Sequence, residues 1–184
     1  MRRVLVSTAL VLVVLGGCST PTARPPAPAT TAVASPVSEM GTLTCAGSID
    51  GDPPPSDYGT VLGVVALPST ALGASDSGDP TTPALFAKTG LVIRAGRPFE
   101  IDVTRQPEDR VAIGWSNSAF LPAARFVVPA CPDTYGTGWL AYPGGYWADR
   151  PICLPLTVRA DGREQQVRIG VGTACPGQAP PPSP

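Results

Sequence analysis

The chain has 184 residues with 13 basic and 14 acidic side chains, a formal net charge of −1, and no histidine. This near-neutral balance gives no support to nucleic-acid binding through phosphate neutralisation. Without imidazole, Ser-His-Asp and Cys-His catalysis and histidine metal ligation are excluded.

The N-terminus opens on Met1-Arg2-Arg3, followed by an apolar run from Val4 to Leu15 and then Leu15-Gly16-Gly17-Cys18. A basic start, a short apolar core and small residues before a cysteine have the architecture of an export signal. The core is too short to cross a bilayer of ~30 Å as a helix. The motif resembles the bacterial lipobox. Residues 1–17 are therefore expected to be a lipoprotein signal peptide, with Cys18 the site of lipidation. Two acyl chains there anchor stably, which places the chain on the extracytoplasmic face of the cell membrane. Residues 18–40 are rich in Pro, Ala, Thr and Ser and too poor in bulky apolar groups to offset their ordering entropy, so a disordered tether is expected. Residues 176–184 read as a disordered tail, which leaves 41–175 as the folded domain.

Within the domain, apolar residues fall in short runs punctuated by Gly and Pro. Thr60–Leu67 is one run. Leu91–Arg94 and Phe99–Val103 flank the turn-like Ala95–Pro98, and Val111–Trp115 and Arg125–Val128 follow. No sustained helical stripe occurs. Asp161-Gly162 signals a type I′ hairpin turn, because both central residues must tolerate positive φ. A two-residue loop there sets Leu154 opposite Ile169, Leu156 opposite Val167, Val158 opposite Gln165, Thr157 opposite Gln166 and Arg159 opposite Glu164. Close-spaced strands without helices predict an all-β fold, an antiparallel immunoglobulin-like sandwich, with a small barrel as the alternative.

Four cysteines remain beyond Cys18, an even number in an oxidising compartment, which reads as two disulfides. The preferred pairing is Cys131 with Cys153 and Cys45 with Cys175; the other two connectivities stay open. Between Cys131 and Cys153 lie Tyr135, Trp139, Tyr142, Tyr146 and Trp147, followed by Asp149 and Arg150. Trp139, Tyr142, Tyr146, Trp147, Asp149 and Arg150 form the candidate binding surface, with Pro143-Gly144-Gly145 expected to turn both tryptophans to one side. The competing reading is that the rings pack the core. Glu100 and Asp102 share a strand face, which more often marks a solvated side than a glycosidase pair. No catalytic residue, metal or cofactor is expected.

The stretches Leu85–Ile93, Ile113–Trp115, Val128–Cys131, Trp139–Trp147, Asp149–Pro151, Leu154–Arg159 and Ala174–Pro176 resemble a group of small actinobacterial lipoproteins. That resemblance implies address and family, and no activity, substrate or catalytic residue. The combined expectation is a non-enzymatic, membrane-anchored binding or accessory module of the cell envelope that meets an envelope protein or cell-wall polymer. The alternatives are a small-molecule-binding lipoprotein, which requires a concave pocket, and a carboxylate-dependent envelope hydrolase.

Overall fold

The computed structural model describes residues 37–104, 110–115 and 122–181. The expected signal peptide, Cys18 and most of the tether lie outside them. The described part is all-β with a single 3-10 turn, Cys45–Gly47. Among the described residues no helix is long and apolar enough to cross a membrane.

Thirteen strands form two sheets: β1 (Ser38–Thr42), β2 (Tyr58–Val61), β3 (Val65–Pro68), β4 (Ser75–Asp76), β5 (Leu85–Lys88), β6 (Leu91–Arg94), β7 (Phe99–Val103), β8 (Val111–Trp115), β9 (Ala123–Val128), β10 (Trp139–Tyr142), β11 (Gly144–Ala148), β12 (Ile152–Ala160) and β13 (Arg163–Val171). The nine-stranded sheet runs β13-β12-β7-β9-β8-β11-β5-β4, with β1 added parallel to β9, and it curls as a half-barrel. The four-stranded sheet runs β10-β6-β3-β2. One core lies between them, with Val65, Leu91, Ile93 and Leu140 from the small sheet and Ile101, Ile113, Leu154 and Leu156 from the large one.

The β12–β13 hairpin forms in the expected register. Leu154 faces Ile169, Leu156 faces Val167 and Arg159 faces Glu164 around an Asp161-Gly162 turn with φ of 50° and 69°. The Thr60–Leu67 run is not one strand. It is cut by a second turn with positive φ, Leu62 at 50° and Gly63 at 71°, and Val64 N–H donates to the Val61 carbonyl at 3.1 Å. Leucine is a poor residue for this conformation. Packing of Leu62 against the core offsets the strain.

The disulfides correct the expected pairing. They join Cys45 to Cys131 and Cys153 to Cys175. The parallel β1–β9 pair sets Thr42 beside Val127, so the two strands end together and their continuations bring Cys45 and Cys131 within 5.3 Å (Cα–Cα). Cys153 stands opposite Gly170, and the turn that follows β13 returns Cys175 to within 4.9 Å of it. Loop-closure entropy at separations of 86 and 22 residues is worth roughly 5 and 3 kcal/mol. The ends of the domain also differ from expectation. Strand order begins at Ser38, inside the expected tether. At the other end the backbone N–H of Ala71 donates to the Ala179 carbonyl, and the Gln178 amide to the Arg168 carbonyl at 3.2 Å, so part of the expected tail is pinned to β13.

Two chain segments cross between the sheets side by side. β5 and β11 pair in the large sheet, while their continuations β6 and β10 pair in the small one. The crossings occur at Thr89-Gly90 and at Pro143, where Thr89 N–H donates to the Gly144 carbonyl at 2.9 Å. The corner leaves no room for side chains at the first two residues of β11. A Cβ on Gly144 would lie 2.0 Å from the Gly114 carbonyl oxygen, and one on Gly145 would lie 2.2 Å from that of Ala87. Both obstacles are backbone, so neither can move aside cheaply. Gly144→Ala is predicted to destabilise the domain by about 3 kcal/mol in urea unfolding. Gly73→Ala, whose Cβ meets nothing within 4 Å, should stay within about 0.5 kcal/mol of the parent.

Candidate functional site

The corner decides what the aromatic segment does. Pro143 carries the chain from β10 in one sheet to β11 in the other, so Trp139 and Trp147 do not share a side. Tyr142 and Tyr146 are fully buried in the main core. Trp139 belongs to a separate small cluster with Ala66 and Val92, flanked by Tyr58 and Ala141, and the Arg94 guanidinium stacks 4.1 Å from its ring. Trp147 lies on the opposite face of its strand from Tyr146. Its ring centroid is 4.5 Å from Phe86, and it passes over Gly114, where a Cβ would meet it at 3.4 Å. These four rings therefore pack the protein rather than forming a shared binding surface. Asp149 ties loops together: its carboxylate accepts the Ala84 N–H at 3.3 Å and faces Arg110 at 3.6 Å. Arg150 is exposed beside it.

Two polar groups in the core have no hydrogen-bond partner among the described residues, Trp115 Nε1 and the Tyr146 hydroxyl. Their rings meet edge to face at 5.4 Å. Burial, with a smaller contribution from Tyr58, pushes Tyr146 ionisation far above the ordinary phenol range. Tyr142 is shifted the same way, chiefly by burial and against a hydrogen bond with Ser48, and its hydroxyl donates to the Cys45 carbonyl at 3.2 Å.

Charged side chains gather on the outer face of the large sheet. Asp102 accepts Arg125 Nε at 2.6 Å and also pairs with Arg159, and Arg159 Nε reaches Glu164 at 2.8 Å. Glu100 stands 3.8 Å from Arg125. The signs alternate across four strands, Glu100, Arg125, Asp102, Arg159, Glu164. The bond that Arg125 donates to Asp102 and the fields of Asp102 and Glu100 raise the Arg125 pKa further. Glu100 and Asp102 thus have arginine partners and sit as a solvated strand face does.

One concave feature among the described residues lies between the free ends of the two sheets. There β13 ends the large sheet and β2 ends the small one, and the two are not paired. A cleft of about 300 Å³ occupies this seam. Val61, Leu67, Val167 and Ile169 form its apolar floor, with Thr60, Ser69, Gln165 and Gln178 among its polar lining. Gly59 helps to create it: it faces Leu67 in the register, and a Cβ there would meet nothing within 4 Å. Sequence reasoning missed this site. The available signal was a glycine inside a strand pattern, which marks a gap or a close approach.

A scan against known protein families finds no matching family, and no curated protein matches the sequence.

The orphaned hydroxyl gives a test of the core. Tyr146→Phe removes a buried group that gains no bond, so stability at neutral pH should be unchanged or higher by up to about 1 kcal/mol. Because the folded-state pKa of Tyr146 is raised, its contribution to stability is complete below the unfolded pKa of ~10 and is lost as pH rises above it. The parent should lose stability there, with Tyr146 supplying roughly 1.4 kcal/mol per pH unit. Chemical denaturation between neutral and strongly alkaline pH should show a shallower alkaline limb for Tyr146→Phe.

Proposed function

We propose that this chain is an exported lipoprotein, lipidated at Cys18 and held on the extracytoplasmic face of a membrane, whose β domain is a non-catalytic binding module that takes a small molecule into the seam cleft. The cleft carries this reading. Its volume of about 300 Å³ is at the small end of ligand sites, and its apolar floor with a few polar lining groups has the composition such sites use. The lipobox-like Leu15-Gly16-Gly17-Cys18 and the resemblance to small actinobacterial lipoproteins support the address. For the fold, an immunoglobulin-like sandwich remains our reading of two sheets around one core. The curled large sheet and the parallel β1–β9 pair are its departures from that form.

A second reading, an accessory subunit contacting an envelope protein or cell-wall polymer, draws on one exposed pair. Ile49 and Tyr135 are 59% and 45% accessible, and the Tyr135 hydroxyl donates to the Ser48 carbonyl beside Ile49. The hydrolase alternative is weaker, because Glu100 and Asp102 face arginines and neither lines the cleft.

The test is ligand-induced thermal shift across a metabolite panel, run on the parent and on Gly59→Leu. The leucine should fill the cleft and raise the midpoint of the unliganded domain by a few degrees, since roughly 1 kcal/mol of added burial moves a domain of this size by about 2–4 °C. It should also abolish the shift given by any ligand that stabilises the parent. A ligand that shifts both proteins equally would rule the cleft out as its site.

A further inference from the structure

We propose that the free edge of β13 is a self-pairing interface, on which a second copy of this chain adds its own β13 antiparallel about a two-fold axis at Gln166. The same strand lines the cleft through Gln165, Val167, Arg168 and Ile169, but the pairing is argued from the backbone and charges of the edge and not from a ligand.

The backbone supplies the first argument. In an antiparallel pair, doubly bonded and non-bonded residue pairs alternate. Arg168 stands opposite Pro155, which has no N–H, so that pair is non-bonded. Alternation then makes Gln166 and Glu164 non-bonded toward β12 as well. The N–H and C=O groups of Glu164, Gln166 and Arg168 accordingly point away from β12, toward the open edge. Nothing among the described residues pairs with this stretch as a strand.

Charge supplies the second. With Gln166 opposite Gln166 of the second copy, Glu164 falls opposite the partner's Arg168, and Arg168 opposite the partner's Glu164. Both side chains are on the outer face, in line with the ladder Glu100, Arg125, Asp102, Arg159, Glu164. The ladder ends at the edge on an acid, and the next rung would be the partner's Arg168. Within its own domain Arg168 has no ion pair among the described residues. Charges usually keep strand edges apart. Here they select one register, because sliding the copies until Glu164 meets Glu164 sets like charges opposite each other.

The paired stretch is short. Leu72 N–H already bonds the Gly170 carbonyl at 2.8 Å, and the Gln178 amide bonds the Arg168 carbonyl at 3.2 Å, so pairing is confined to the backbone groups of Glu164 and Gln166 and the N–H of Arg168. Such an interface is weak in dilute solution and is favoured where copies are concentrated.

The full chain carrying Gln166→Cys tests the proposal. At the two-fold axis the new thiols come together, about 5.5 Å apart between Cα atoms. Mild oxidation should give a covalent dimer whose yield rises with protein concentration and exceeds that of Asp161→Cys at the hairpin tip. Adding Arg168→Glu should lower the yield by at least about threefold, and adding Glu164→Arg to that variant should restore it. Gln166→Pro, which removes an N–H that β12 does not use, should leave circular dichroism and the thermal midpoint near those of the parent and abolish concentration-dependent association in sedimentation. Equal crosslinking of Gln166→Cys and Asp161→Cys would overturn the proposal. So would a yield insensitive to both charge reversals, or association unchanged in Gln166→Pro.

Discussion

Two strands change sheets side by side, and the steric demands of that corner organise the rest of the molecule. The β5–β6 and β10–β11 crossings must run close enough for Thr89 to bond Gly144, and this requires β11 to begin with two residues that lack side chains. Once made, the corner joins the sheets on one side and curls the larger one around the core. Trp115 and Tyr146 pack edge to face just behind it, and the Tyr58 hydroxyl bonds Thr89 and Gly90 from outside. β13 and β2 each end a sheet and do not pair with each other, and residues of both line the cleft.

Local features of the sequence specified local structure well. Asp161-Gly162 names a turn type, the turn type fixes a register, and alternation of Leu154, Leu156 and Val158 against Val167 and Ile169 confirms it without outside information. The Leu62-Gly63 turn adopts the same left-handed backbone but carries a leucine, so its signal is half missing and the flanking valines read as one run. What stabilises it is non-local, the burial of Leu62 against the core. The disulfides were illegible for a related reason. Cys45 and Cys131 meet because β1 runs parallel to β9, a pairing between segments some 85 residues apart that no nearby pattern announces.

The aromatic segment shows how composition misleads when topology is unknown. Pro143-Gly144-Gly145 contains the residues of a tight turn, and a turn would have set Trp139 and Trp147 together. The residues instead serve a crossing: proline where the chain leaves one sheet, glycines where it squeezes past Gly114 and Ala87. The strand alternation that follows sends Tyr146 inward and Trp147 outward. Core packing, the competing reading of those rings, accounts for Tyr142 and Tyr146, while Trp139 and Trp147 pack against neighbours on the opposite faces of their strands. The cleft left only a faint signal because its defining residue is an absence: Gly59 is a missing side chain opposite Leu67, and a strand glycine says what it opens only once β2 and β3 are in register.

The two sides of the domain therefore differ in how firmly they are held. At the corner, backbone hydrogen bonds run between strands through the crossing, and the packed rings behind it leave no slack. Along the seam, the described residues meet through the long bond from Arg163 to the Leu62 carbonyl at 3.3 Å, through side chains across the cleft floor, and at the far end through the Leu72 backbone bonds to Gly170 and Gly172. Few apolar contacts and unpaired backbone define the low-stability parts of a fold. A ligand filling the cleft would add apolar contacts across the seam, and its binding energy would appear directly as stability of the folded state. Closing the seam with a paired strand would instead remove the edge and the space with it. The chain keeps Gly59 where a larger side chain would fit, and keeps Gln165 and Gln178 rather than apolar groups in the lining, so the cleft stays open and partly polar.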